Sequence, residues 1–102
     1  MQQAIQLLGI YLLTHNRPEQ ALEAIESILA QSDRRFELIV SDNSDTDQLK
    51  HLLGDRQDLL YIKRPQVLSG IDHGNTVLSE IVVNQKYDYF TLFHDDDLMF
   101  SN

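Results

Sequence analysis

Three consecutive carboxylates close the run Tyr89-Phe-Thr-Leu-Phe-His-Asp-Asp-Asp97. The aromatic and β-branched residues before them favour an extended, buried strand. Asp95, Asp96 and Asp97 are poorly suited to continue it, because adjacent negative charges repel and belong beside water or a cation. A hard divalent ion gripped by carboxylate oxygens is one chemistry open to them. A solvated turn, or the cap of a helix starting near Leu98, is the plainer alternative. Two other polar clusters offer comparable groups, Thr14-His-Asn-Arg-Pro18 and Asp42-Asn-Ser-Asp-Thr-Asp47. Which reading holds depends on whether the chain gathers these clusters.

The elements between them can be read from hydrophobic spacing. Ile5 to Thr14 is nearly all apolar, as in a strand covered on both faces of a parallel sheet. Asn16 suits a helix cap and Pro18 a first helical turn. Ala21, Leu22, Ile25, Ile28 and Leu29 follow at helical spacing, predicting a helix from about Pro18 to Gln31. Phe36 to Ser41 reads as a second strand, and a weak helix follows from about Thr46 to Gly54. Leu59 to Lys63 is a short third strand closed by Arg64-Pro65. A third helix is expected after Asp72, with an apolar stripe of Leu78, Ile81 and Val82, fading near Asn84. Tyr87 to Phe93 is the last strand.

This alternation predicts an α/β fold: three-layer and Rossmann-like, a mainly parallel sheet of about four strands with flanking helices and right-handed crossovers. Such sheets bind ligands beyond the carboxyl ends of their strands, where strand order reverses. Three of those ends are polar here: Thr14 to Arg17, Asp42 to Ser44, and His94 to Asp97.

Bulk composition narrows the ligand. The 102 residues suffice for one small domain, and 42% hydrophobic content suits a globular chain. A net charge of -8 argues against nucleic acid and against an anionic membrane surface as partners. It also means that an anionic ligand such as a diphosphate needs a cation with it. Cysteine is absent, which removes disulfides and thiolate sites and fits a reducing compartment. The first residues lack the basic region of a signal peptide, and the apolar run from Leu7 to Leu13 is too short for a transmembrane segment. A cytoplasmic protein is expected.

Taken in order, the strand ends resemble the nucleotide-binding half of a family 2 glycosyltransferase, the GT-A fold. Thr14-His-Asn-Arg-Pro18 looks like that family's first-strand motif. Ile39-Val-Ser-Asp-Asn-Ser-Asp45 looks like the segment that holds base and ribose. Ser69-Gly-Ile-Asp-His-Gly-Asn75 is similar to its loop-to-helix motif ending in Asn, and Phe93-His-Asp-Asp-Asp97 to its metal-binding acidic motif. The resemblance implies binding of a nucleotide-diphosphate sugar, a UDP-sugar in particular, through Mn²⁺ or Mg²⁺. It implies that Asp42 accepts a hydrogen bond from the base, where an ordinary strand-end turn is the competing role. Thr14, Asn16, Asn43 and Ser44 would line the same pocket, Arg17 would approach the diphosphate, and Asn75 would complete the nucleotide site. Of the acidic run, one carboxylate, Asp95, would meet the ribose. The metal would fall to Asp95 and Asp97, or to a set centred on Asp96.

The chain also departs from the family pattern. His94 stands where an acidic residue is common, and it reads better as a hydrogen-bonded, buried histidine than as a ligand. Gly74 stands where the family commonly has Arg, and His73 beside it reads as a surface residue. The chain stops at Asn102, directly after the acidic motif, whereas in the family an acceptor site, a catalytic base and further strands follow. Residues 1–102 are therefore expected to form the nucleotide-sugar-binding half alone, with the base beyond the chain end and the acceptor unknown; the alternative is a non-catalytic binding or oligomerising remnant. Without later elements beside the last strand, Phe90, Phe93, Met99 and Phe100 would be under-covered, predicting a homo-oligomer. A nucleotidyltransferase would want a Gly-rich loop after the first strand, and a receiver domain paired acids there. Thr14-His-Asn-Arg-Pro18 supplies neither.

Overall fold

A computed structural model describes residues 8–31, 35–65, 68–84 and 89–94. The elements run β1 (Leu8–Thr14), α1 (Pro18–Leu29), β2 (Phe36–Asp42), α2 (Gln48–Leu53), β3 (Leu60–Lys63), α3 (Gly70–Asn84) and β4 (Tyr89–His94). All strand pairs are parallel, in the order β3-β2-β1-β4. The chain thus steps outward from β1 to β2 to β3, then crosses back to place β4 on the other side of β1. The expected α/β layered sheet is the one that forms.

Period-two alternation divides the strand residues between two cores. Ile10, Leu12, Leu38 and Val40 pack on one face with Ala21, Ala24, Ile25 and Ile28 of α1 and Leu49 and Leu53 of α2. Tyr11, Leu13 and Ile39 pack on the other with Val77 and Ile81 of α3. The reversal of strand order puts α3 on the face opposite α1 and α2, as right-handed crossovers require. Among the described residues the α3 side is the thinner layer, because one helix covers it where two cover the other.

Several boundaries differ from the sequence expectation. Helix α1 ends at Leu29, where the N–H of Ala30 still bonds the carbonyl of Glu26 at 3.0 Å. Helix α2 is shorter than expected and stops at Gly54, whose φ of 60° no β-branched residue tolerates well. Helix α3 starts earlier, at Gly70, because Ser69 caps it: its Oγ accepts the N–H of Asp72 at 3.1 Å. The inward stripe of α3 is His73, Val77 and Ile81, not Leu78, Ile81 and Val82; Leu78 is 39% exposed and Val82 65%. Asn16 does not cap α1. The cap position is Arg17, with no side-chain cap bond, and Asn16 takes a left-handed φ of 54°. Among the described residues no helix is long and apolar enough to cross a membrane.

Candidate functional site

Register places the carboxyl ends of the strands side by side. Thr14 pairs with Asp42, Asp42 with Lys63, and Leu13 with His94. One rim of the sheet therefore carries the first two polar clusters, the end of β3, and the point from which the Asp run departs. The reversal of strand order falls between β1 and β4, at this rim.

Asp42 lies at its centre with 0% exposure. Its Oδ1 accepts the N–H of Ser44 at 3.0 Å, closing an Asx turn, and its Oδ2 accepts the hydroxyl of Tyr61 at 2.5 Å. Burial first, then the bond to Asp42 and its charge, push the Tyr61 phenol well above its usual range, so it remains a donor. The backbone of the neighbouring strands joins in. Asn43 N–H donates to the carbonyl of Thr14 at 2.9 Å, and Arg64 N–H to that of Asp42 at 2.8 Å.

The turn after β1 is sewn to the turn after β2. Asn16 N–H donates to Ser44 Oγ at 2.7 Å, its Oδ1 accepts Asp45 N–H at 2.8 Å, and its Nδ2 donates to Asp45 Oδ2 at 3.0 Å. The left-handed backbone of Asn16, which Asn tolerates better than most residues, turns the side chain to this task. His15 Nδ1 lies 2.7 Å from the carbonyl of Asn43, which can only accept, while its Nε2 lies 3.3 Å from the donor Nδ2 of Asn16. Those partners together assign the proton to Nδ1.

A second layer of polar contacts lies beneath the rim. Asn43 grips the backbone of Leu68 twice, Nδ2 to its carbonyl at 2.7 Å and Oδ1 from its N–H at 2.8 Å. Arg64 is buried. Its Nε donates to Ser41 Oγ at 2.8 Å, and its two terminal nitrogens bond the Glu80 carboxylate on α3 at 2.6 and 2.8 Å. His73 Nε2 meets the same Ser41 Oγ at 2.7 Å. The bond to Arg64 holds the Glu80 carboxyl below its usual range, against a smaller opposing effect of burial.

A sequence model described as glycosyl transferase family 2 matches residues 10–102. The chain belongs to that family. Among solved structures, the crystal structure of S. aureus TarS is similar with a TM-score of 0.73 and 18% identity; the match covers 94% of this chain and 17% of the TarS chain. At that identity the likeness speaks for the fold. No curated protein matches the chain.

Within this family 2 glycosyltransferase domain, Thr14, Asn16, Asp42, Asn43 and Ser44 form one bonded cluster. Arg17 is adjacent and exposed, and its carbonyl accepts the N–H of Ala21 at 2.8 Å. Asn75 stands apart, exposed on α3 at the edge of an open groove shared with Leu78, Ser79, Val82 and Val83. Asp95, Asp96 and Asp97 lie outside the described residues. Among those that are described, no group of three or more His, Asp or Glu side chains is arranged to hold a metal. The described chain reaches the residue before the Asp run, and β4 delivers it to the rim beside β1.

Two histidines reverse their expected positions: His94 is exposed, and His73 is 4% exposed. Sequence reasoning also missed Tyr61, Arg64 and Glu80. A signal for the first two existed. The end of β3, Tyr61-Ile-Lys-Arg64, is a carboxyl end like the other three and belongs to the same comparison.

Proposed function

We propose that residues 1–102 are the nucleotide-sugar-binding half of a glycosyltransferase domain, holding a UDP-sugar through Mn²⁺ or Mg²⁺ for transfer to an acceptor. The observation that supports this reading is the convergence of Thr14, Asn16, Asp42, Asn43 and Ser44 at the rim where β4 releases the Asp run. In this reading Asp42 accepts the imide N–H of the base. It retains lone pairs beyond those used by Ser44 and Tyr61, which a base reaches by displacing the side chains that bury it. Thr14, Asn16, Asn43 and Ser44 shape the pocket wall, Arg17 faces the diphosphate, and Asn75, on the exposed side of α3, is the residue that helix offers to the ligand. Asp95 serves the ribose, and Asp95, Asp96 and Asp97 are the residues to hold the cation.

When bound, the cation would offset the charge that builds on the departing nucleoside diphosphate. A protein of net charge -8 repels a diphosphate without one. The reading goes with a cytoplasmic site of action, to which a chain without cysteine is suited. It also goes with self-association. Tyr89 and Phe90 are exposed on β4, an outer strand of the sheet, and α3 leaves Val82 and Val83 exposed. A second copy is the partner proposed for them.

Calorimetric titration with UDP tests the reading. Binding in Mn²⁺ is expected to be about tenfold or more tighter than in EDTA, and Asp42→Ala to weaken it by a similar factor. Absence of UDP binding in Mn²⁺ would overturn it. One observation favours the second reading, a remnant that transfers nothing: Asp42 and Asn43 commit their side chains to internal bonds. Binding of UDP without turnover over a panel of acceptors would select that alternative.

A further inference from the structure

Helix α3 is tied to the sheet by polar contacts at two points about two turns apart, His73 and Glu80. Both ties lead to the end of β2 or to the residue after β3. Arg64 spans them, bonding Glu80 with one edge of its guanidinium and Ser41 Oγ with its Nε. Ser41 Oγ is therefore shared between Arg64 and His73, at 2.8 and 2.7 Å. Arg64 has only donors. The arrangement that uses both functions of the hydroxyl has it accept from Arg64 and donate to His73 Nε2. That leaves the imidazole neutral, with its proton on Nδ1.

We infer that His73 is a positioning residue: in its neutral form it holds the first turns of α3, carrying Gly74 and Asn75, against the end of β2, and its protonation loosens them from the rim. The contact itself stands on the geometry above. Only its consequence for ligand binding rests on the nucleotide site proposed in the preceding subsection.

A protonated His73 would put an N–H where the Ser41 hydroxyl now donates. It would also set a second cation on the oxygen that already serves Arg64, less than two hydrogen-bond lengths away. The charged and titratable groups around His73 come from every strand end and from α3 itself: His15 after β1, Asp42 ending β2, Arg64 after β3, His94 ending β4, and Glu80. Asp42 alone among the strand-end groups favours the cation, and its carboxylate already serves Ser44 and Tyr61. Glu80 is engaged by Arg64. Burial lowers the His73 pKa most, followed by Arg64 and His94. A lowered folded-state value means the contact stabilises the fold above the ordinary imidazole value of about 6.5 and is lost as pH falls through the lower folded value.

NMR relaxation on the whole chain tests this. Backbone order parameters of Gly74 and Asn75 are expected near 0.85 at about pH 7.5 and below about 0.6 once His73 is protonated, with the change tracking the His73 ring signals. His73→Gln, which bonds Ser41 but does not titrate, is expected to keep both residues rigid across the window. The two proteins differ at this one side chain, so the comparison isolates His73. Ser41→Ala, which removes the partner and leaves the histidine, is expected to loosen the turn already at neutral pH. Order unchanged in the wild type after the ring titrates, equal acid loss in His73→Gln, or a rigid turn in Ser41→Ala would each overturn the inference.

Titration with UDP and Mn²⁺ over the same window supplies the second readout. Affinity should fall about threefold or more in acid for the wild type and not for His73→Gln. If the wild type binds no UDP at neutral pH, the nucleotide reading fails, and the order parameters still decide the role of His73.

Discussion

Asn43 stands in an acidic loop, yet its amide closes two hydrogen bonds with the backbone of Leu68. Removing it leaves a half-buried carbonyl and an N–H to find other partners. Asn43→Ala is expected to cost about 2 kcal/mol, read as a lowered midpoint in urea with an unchanged slope. A change below about 0.5 kcal/mol would mean that water replaces the amide at no cost. Asp42 differs in kind. Its bonds to Ser44 and Tyr61 fix the side chain at the rim. The type of each residue was legible from the sequence as a turn former, but not what it bonds, because Leu68 and Tyr61 are distant in the chain; the β2–β3 pairing is what brings Tyr61 near Asp42.

At the scale of elements, α3 carries the clearest departure. Gly74 lies in its second turn, and a Cβ built there meets nothing within 4 Å. Gly74→Ala is therefore expected to stabilise the chain by about 0.5–1 kcal/mol, seen as a raised urea midpoint. Gly74→Arg restores the residue the family commonly has at this place and is expected to tighten UDP binding by calorimetry; weaker binding would show that the helix start does not face the diphosphate. The strands were readable because runs such as Ile10 to Leu13 are buried on both faces and contain no charged residue. The stripe of α3 was not, because its inward positions include His73, which hydrophobic periodicity counts as polar, while Leu78 and Val82 fall on the exposed side. Burial of a polar side chain depends on a partner, here Ser41, which periodicity does not register. The same cause hid Arg64 and Glu80.

At the scale of the molecule, the two-sided core is uneven and the charge is one-sided. Exposed Tyr89, Phe90, Val82 and Val83 are expected to associate despite the net charge of -8. Light scattering at micromolar protein should show a mass above that of one chain, rising with salt as repulsion is screened; a monomer at all salt concentrations would contradict this. Acid stability follows from two groups with lowered folded-state values. The Glu80 contribution is present above the usual carboxylate range and lost as pH falls through its folded value, and the His73 contribution is lost in the same direction at higher pH. Thermal midpoints should therefore rise from about pH 3 to about pH 7, and Arg64→Met should flatten the part of that rise below about pH 4.5. An unchanged profile in Arg64→Met would show that Glu80 contributes nothing to acid stability.

If one rim of this sheet receives a nucleoside diphosphate with its cation, the bound ion must lie beside the ends of β1, β2 and β4. Paramagnetic broadening of amide signals by Mn²⁺ in the presence of UDP locates that ion directly. Broadening is expected to centre on residues 14–16, 42–44 and 94, with the amino end of the sheet, near Leu8 and Phe36, untouched. Broadening centred at that amino end, or on the outer side of α3, would contradict that placement.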